Sequence, residues 1–137
     1  MTAHTRGAVL ALGIDLVATL VFVLTGRGSH NEDASIAGLL TTWWPFAGAL
    51  LLGWLVTVAW KRPFGVLWPG AGIWLTTVVG GMLLRAASGQ GTALAFLVVA
   101  TIALALLLLG WRGIAAIVRR RRPKASPEPR RETERYS

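Results

Sequence analysis

The sequence predicts an all-α, polytopic membrane protein: a compact bundle of four transmembrane helices with both termini in the cytoplasm. Residues 34–60, 63–84 and 86–111 contain no Asp, Glu, Lys or Arg, and residues 7–26 contain only Asp15. A helix of about 20 apolar residues spans the hydrocarbon core of a bilayer. The four apolar runs therefore account for most of the 137 residues and leave room for a single folded domain.

Breaks between the apolar runs place the helices at about 8–26, 38–60, 66–85 and 92–112, and the last helix can continue to Val118. Residues 27–33 form a short polar turn between the first two helices. Lys61-Arg62-Pro63 ends the second helix, because charge and proline both stop a membrane helix. The third helix begins near Trp68-Pro69, since proline is tolerated in a first turn. Residues 86–91 form a tight hairpin before the fourth helix.

Basic residues predict the orientation, because cytoplasmic flanks carry the excess of Lys and Arg. One side of the bundle collects Arg6, Lys61, Arg62 and the Arg-rich C-terminal segment. The other side has only Arg27 and Arg85. Both termini are therefore predicted to be cytoplasmic, with both hairpin turns outside the cell, in a multi-pass protein of the plasma membrane.

The C-terminal segment 114–137 is predicted to be a basic, mostly disordered tail attached to a transmembrane domain of residues 1–113. It has too few apolar residues to fold alone. Arg119, Arg120, Arg121 and Arg122 suit electrostatic attachment to anionic lipids of the inner leaflet, worth about 1 kcal/mol for each basic residue near the surface. Nucleic-acid binding has the same sequence pattern, but the adjoining membrane helix favours lipid.

Asp15 is the most informative single residue, because a carboxylate inside a membrane helix should face protein or water. It shares a small, polar helix face with Ala11, Ala18 and Thr19, opposite a bulky apolar face suited to lipid. One interpretation is a carboxylate that binds a proton or a cation. The other, favoured by its position near the cytoplasmic end, is a structural pair with Arg112, Lys61 or Arg62, or a hydrogen bond within the bundle.

Small residues at four-residue spacing predict two helix-packing faces. They are Ala49, Gly53 and Thr57 in the second helix and Gly72, Thr76 and Gly80 in the third. Such faces let two helix backbones approach closely in lipid. A pore lining would use the same residues, but packing is the better interpretation.

Arg27, His30 and Arg85 form a candidate anion- or partner-binding site on the outer face. Two guanidinium groups at one depth would suit a phosphate or a carboxylate, provided that the first and third helices are neighbours. Alternatively, both arginines extend to lipid headgroups or pair with Glu32 and Asp33. We expect loss of Arg85 to matter more than loss of Arg27, because Arg27 lies in a polar turn.

The sequence predicts no enzyme, cofactor or metal site. It has no Ser/His/Asp set, no phosphate-binding glycine loop and no facing carboxylates. Cysteine is absent, and His30 with Glu32 and Asp33 is a poor zinc pattern.

Five segments resemble a family of small four-helix membrane proteins of unknown function, found in actinobacteria and haloarchaea (domain of unknown function 3054). They are Asp15, Gly26-Arg27-Gly28-Ser29-His30, Trp44-Pro45-Phe46, Gly80-Gly81-Met82-Leu83-Leu84-Arg85 and Gly110-Trp111-Arg112. The resemblance covers about residues 8–113. It implies the four-helix topology and no biochemical activity.

Two functions remain open. The first is a structural or accessory protein that engages lipid, a membrane-protein partner or a second copy of itself. The alternative is a small proton-coupled transporter, acting as a homodimer with Asp15 as the coupling carboxylate. Small multidrug-resistance transporters have a similar architecture, but their dual topology needs little Lys/Arg bias, and this chain has a strong bias.

Overall fold

The computed structural model describes residues 2–29 and 35–121, and all regular structure within these ranges is helical. The helices are α1 (Ala3–Ser29), α2 (Ile36–Thr57), α3 (Ala71–Ala87), α4 (Leu94–Leu104) and α5 (Gly110–Arg120). A π-helical segment, Ala105–Leu109, joins α4 to α5, so that Leu94–Arg120 is one continuous span. In the described ranges four helical stretches are long and apolar enough to cross a membrane. The prediction of an all-α, four-span protein is confirmed.

Local capping sets the helix ends at slightly different residues from those predicted. The Thr2 hydroxyl accepts a hydrogen bond from the Thr5 N–H at 3.2 Å, and α1 begins at Ala3 instead of residue 8. The Ser35 hydroxyl accepts one from the Gly38 N–H at 3.1 Å, which caps the start of α2. The second helix ends at Thr57, and not at residue 60, because Val58 adopts a left-handed conformation with φ of 52°.

The third helix begins later than predicted. Trp68 has extended backbone angles (φ −145°, ψ 127°) and precedes a cis peptide bond to Pro69. A residue before proline is disfavoured in the α conformation, because its backbone clashes with the proline ring. Val66–Gly70 therefore forms a wide turn, closed by a 3.0 Å hydrogen bond from the Gly70 N–H to the Gly65 carbonyl. Regular α-helix starts only at Ala71.

The last span ends at Arg120, beyond the predicted end at residue 112 and two residues past the continuation to Val118. The boundary predicted at residue 113 thus falls inside α5. Residues 114–118 are apolar, so nothing in the sequence stops the helix before the arginines. The remainder of the predicted tail, residues 122–137, lies outside the described residues, and its disorder stays a prediction.

The closest interface in the bundle is the antiparallel seam between α2 and α3. A Cβ added to Gly53 would lie 3.2 Å from both the Ile73 Cα and the Thr76 Cβ. The same close approach occurs along the seam, where Gly80 lies on Ala49, Gly53 on Thr76 and Gly72 on Thr57. The small residues of the two helices therefore pack against each other, which allows the extensive van der Waals contact that associates helices in lipid.

The other helices complete the bundle around this seam. α1 packs against α2 and α4, and α3 packs against α2 and α4, so α1 and α3 occupy opposite corners. α1 buries its small face, including Ala11 and Thr19, while Leu10 and Val17 on the opposite face are exposed. Exposed apolar side chains on a membrane span are suited to contact lipid.

Candidate functional site

The Asp15 carboxylate lies fully buried in the bundle and accepts four hydrogen bonds. Its Oδ1 accepts from the Arg112 Nη1 at 2.7 Å and from the Trp111 Nε1 at 2.8 Å. Its Oδ2 accepts from the Arg112 Nη2 at 2.7 Å and from the Trp54 Nε1 at 2.9 Å. A carboxylate has about four lone-pair sites, so this one is fully occupied by donors from the protein.

The Arg112 guanidinium is also fully buried and donates four hydrogen bonds. Besides its two bonds to Asp15, its Nε donates to the Pro63 carbonyl at 3.0 Å and its Nη1 donates to the Leu108 carbonyl at 3.0 Å. The fork-to-fork pairing with the carboxylate is the geometry in which arginine binds carboxylates most strongly. One guanidinium thereby connects α1, the α2–α3 connection and the last span.

The π-helical segment orients Arg112 toward this site. Ala100, Leu104, Leu108 and Arg112 are all fully buried at a spacing of four residues. In a regular helix of 3.6 residues per turn, such residues drift around the axis by about 40° at each step. A π turn takes more residues per turn, so Ala105–Leu109 offsets the drift and keeps Arg112 in line with the buried residues before it.

Local sequence explains how the other donors reach the carboxylate. Trp54 lies in the last turn of α2, on the same buried face as Leu50. Trp111 lies beside Arg112 at the start of α5, with the Arg112 guanidinium 4.6 Å from its ring centroid. Indole has one N–H donor on a large apolar body, so it can satisfy a carboxylate without adding charge to the membrane interior.

Burial of this ion pair is tolerable only because each ion has its counter-ion and further hydrogen-bond partners. Taking two ions out of water costs several kcal/mol for each ion, and their attraction compensates only with good geometry and additional hydrogen bonds. Here each ion has its counter-ion and two further partners. The arrangement is chemically suited to hold helices together. Proton or cation exchange would require one of these donors to leave.

Two further tryptophans join the spans by the same means. The Trp43 Nε1 donates to the Thr19 hydroxyl at 3.0 Å, and that hydroxyl donates to the Leu16 carbonyl at 2.8 Å. The Trp74 Nε1 donates to the Thr101 carbonyl at 3.0 Å. Indole donors thus link α2 to α1 and α3 to α4.

The sequence predicted Arg112, Lys61 or Arg62 as the partner of Asp15. In the structure Arg112 binds Asp15, whereas Lys61 and Arg62 are exposed. Sequence analysis missed the roles of Trp54 and Trp111. The adjacent Trp111-Arg112 pair at the end of an otherwise charge-free run was the available signal, because an arginine there needs a partner if it faces inward.

At the opposite end of the bundle, Arg27 contacts α2 directly and Arg85 reaches it through Gln90. The Arg27 Nη1 donates to the Thr42 hydroxyl at 2.7 Å. Arg85 donates to the Gly91 carbonyl at 2.9 Å and 3.1 Å and to the Gln90 side chain at 3.0 Å. α1 and α3 are not among the pairs of helices that pack extensively, and a site shared by Arg27, His30 and Arg85 stays a prediction.

His30, the third residue of the candidate outer site, lies outside the described residues, as do Glu32 and Asp33. In the described part of this end of the bundle, Arg85 organises a turn. Gln90, which it holds, donates to the Thr41 carbonyl of α2 at 3.0 Å, and the Arg85 guanidinium lies 4.4 Å from the Phe96 ring centroid.

Arg119, Arg120 and Arg121 of the predicted lipid-binding segment are exposed at the end of α5. Arg119 lies over the Phe64 ring, 4.1 Å from its centroid. Arg122 lies outside the described residues. The basic groups therefore begin on an ordered helix end, directly beside the α2–α3 connection.

Fold and site together define a four-span membrane protein in which a buried, hydrogen-bonded Asp–Arg pair joins the first, second and last spans and the α2–α3 connection. The chain belongs to the family described as "Protein of unknown function (DUF3054)", whose model matches residues 12–115. The match includes both Asp15 and Arg112, and it confirms the family resemblance. Comparison with curated proteins and with solved structures found no match.

Proposed function

We propose that this chain is a non-enzymatic accessory protein of the plasma membrane, which engages lipid or a membrane-protein partner through a rigid four-span bundle. This proposal rests on the four hydrogen bonds that the Asp15 carboxylate accepts from the protein. Asp15 is the only carboxylate among residues 2–29 and 35–121, and all of its acceptor sites are used to hold the spans together.

The proposed orientation has both termini in the cytoplasm. Exposed cations of the described residues gather at one end of the bundle: Arg6, Lys61, Arg62, Arg119, Arg120 and Arg121. Among the described residues, only the cations Arg27 and Arg85 lie at the other end. This asymmetry supports the assignment, since Lys and Arg are retained on the cytoplasmic side.

The same occupancy argues against the alternative of a proton-coupled transporter. A coupling carboxylate has to release its partner and reach water during each cycle. Asp15 has no exposed surface, and its partner Arg112 is also bound to the carbonyls of Pro63 and Leu108. Exposing the carboxylate would break contacts among several helices at once.

Proteoliposomes with an imposed pH gradient and an internal pH-sensitive dye test this choice. We expect wild-type protein to dissipate the gradient no faster than protein-free liposomes, with a protonophore added last to verify the dye. The variant D15N/R112Q keeps amide hydrogen-bonding groups at both positions and removes both charges. Its flux should equal that of wild type, and cross-linking in native membranes should recover the same partners with both proteins. Wild-type proton flux that the variant loses would overturn the accessory role.

A further inference from the structure

A wide cleft lies at the end of the bundle where α1 begins. It has a volume of about 670 Å³ and is formed by the start of α1, the α2–α3 connection and the last turns of α5. The connection contributes Lys61, Arg62 and Phe64, and α5 contributes Arg119. This volume is in the range of small-ligand sites, roughly 300–1,000 Å³.

The walls of this cleft are basic and have no acidic counterpart in the described residues. Lys61 and Arg62 are exposed and make no ion pair or hydrogen bond through their side chains within residues 2–29 and 35–121. Asp15, the only described carboxylate, is already bound to Arg112. Three cations therefore line one concave surface that holds no opposite charge among residues 2–29 and 35–121, which is the electrostatic pattern of an anion site.

The cleft is also held in shape by the packing beneath it. Phe64 packs edge-on against Trp111 with ring centroids 5.7 Å apart. It supports Arg119 on its ring face, which leaves the guanidinium N–H groups available at the edge of the stack. Pro63, next to Phe64, accepts the hydrogen bond from the buried Arg112 Nε. The central ion pair thus anchors the segment that carries Lys61 and Arg62.

The tryptophans at this end indicate the depth of the cleft. Trp60 and Trp68 flank the connection and are exposed by 43% and 57%. Exposed indoles concentrate at the interface between hydrocarbon and water, at the level of the lipid headgroups. Lys61 and Arg62 follow Trp60 directly, so the cations of the cleft lie at the depth of lipid phosphates.

We propose that this cleft binds the phosphate group of an anionic phospholipid from the adjacent leaflet. Lys61, Arg62 and Arg119 supply charge-assisted hydrogen bonds to the phosphate oxygens. This inference rests on the proposed accessory function and deepens it by naming lipid as the partner. The binding site is the cleft, and not the C-terminal tail alone.

Native mass spectrometry of the full chain in mild detergent tests this site with short-chain phosphatidylglycerol as the probe. Short-chain phosphatidylcholine tests the need for net negative charge, and inorganic phosphate tests whether the headgroup phosphate suffices. The variant K61Q/R62Q/R119Q removes the three cations of the cleft. The matched control R6Q/R120Q/R121Q removes three exposed cations from the same end, outside the cleft.

We expect one saturable phosphatidylglycerol site, weakened at least about tenfold in the cleft variant and at least about threefold less strongly in the control, whose Arg120 and Arg121 contribute only diffuse attraction to the same end. Phosphatidylcholine and inorganic phosphate should bind at least about tenfold more weakly. Equal weakening in both variants would show diffuse attraction to the basic end and overturn the site, as would unchanged binding in the cleft variant. Tighter binding of inorganic phosphate than of the lipid would replace lipid by a free phosphate ligand.

Equal melting temperatures of the two variants in detergent establish that both are folded; all substituted residues are exposed. The outcome is separable from that of the proton-flux experiment. Proton flux through wild-type protein would contradict the accessory role but not the lipid site. Failure to find the lipid site would contradict this inference but not the accessory role.

Discussion

Asp15 and Arg112 are separated by 97 residues in the chain and meet in the bundle through two N–H···O hydrogen bonds of 2.7 Å each. Neither side chain has exposed surface. The pair joins the first span to the last, and its remaining hydrogen-bonding groups reach α2 through Trp54 and the α2–α3 connection through Pro63. It is the main polar connection in the described part of the bundle.

Removing one ion of this pair should destabilise the bundle more than removing both. Arg112→Gln leaves the Asp15 carboxylate buried without its counter-ion, which costs about 3–5 kcal/mol of the free energy of unfolding. D15N/R112Q should lose less than either single variant, because no uncompensated charge remains. Denaturant titration of the purified proteins in detergent measures all three values. Additive losses in the double variant would contradict a coupled pair.

Trp54→Phe should weaken the bundle by removing one donor from the carboxylate. A hydrogen bond to a charged group contributes about 1.5–3 kcal/mol, and Trp54 is buried, so water cannot replace the donor. Trp44→Phe is the matched control at an exposed position of the same helix, and it should change stability by less than about 0.5 kcal/mol. The same denaturant titration compares them, and equal effects would show that the indole N–H contributes nothing.

Gly53→Leu should separate α2 from α3. A Cβ at this position would already lie 3.2 Å from the Ile73 Cα, so a larger side chain forces the helix backbones apart. Overpacking of this kind costs about 1–3 kcal/mol. Gly13→Leu is the control, since a Cβ there meets nothing within 4 Å. A melting temperature lowered only by Gly53→Leu is expected, and equal tolerance of both would refute the close seam.

Arg85→Ala should destabilise the α3–α4 end of the bundle more than Arg27→Ala does. Arg85 binds Gln90 and the Gly91 carbonyl, and Gln90 in turn binds the Thr41 carbonyl, so its loss frees the α3–α4 turn from α2. We expect a loss of about 1.5–3 kcal/mol for Arg85→Ala, on the scale of hydrogen bonds to charged groups. Hydrogen exchange of the turn should rise in this variant. A larger effect of Arg27→Ala would reverse the ranking.

Cysteine labelling tests the proposed orientation. The natural chain has no cysteine, so Ser88→Cys and Ser126→Cys each introduce a single reactive thiol. A membrane-impermeant maleimide should label Ser88→Cys in intact cells, because residue 88 lies in the outer turn of the proposed orientation. Ser126→Cys should react only after permeabilisation. Labelling of Ser126→Cys in sealed cells would invert the orientation.

Sequence alone predicted the four spans, the lipid-facing and buried faces of α1, and the small-residue faces of α2 and α3. These features depend on local hydropathy and on the periodicity of a helix, which can be read along the chain. The helix ends could be predicted less precisely from the sequence. Gly-Val-Leu-Trp-Pro reads as the start of a helix, but the conformation of Trp68 before Pro69 delays the helix to Ala71.

Only the tertiary structure decided which base binds Asp15, where Trp54 and Trp111 direct their N–H groups, and that Lys61, Arg62 and Arg119 line one cleft. Each of these contacts joins residues far apart in the chain, so each depends on the order of the helices around the bundle and on their relative depth and rotation. For Arg112 the rotation is set by the π-helical segment Ala105–Leu109. Hydropathy does not report that rotation, because a π turn and an α turn can be built from the same run of alanine and leucine.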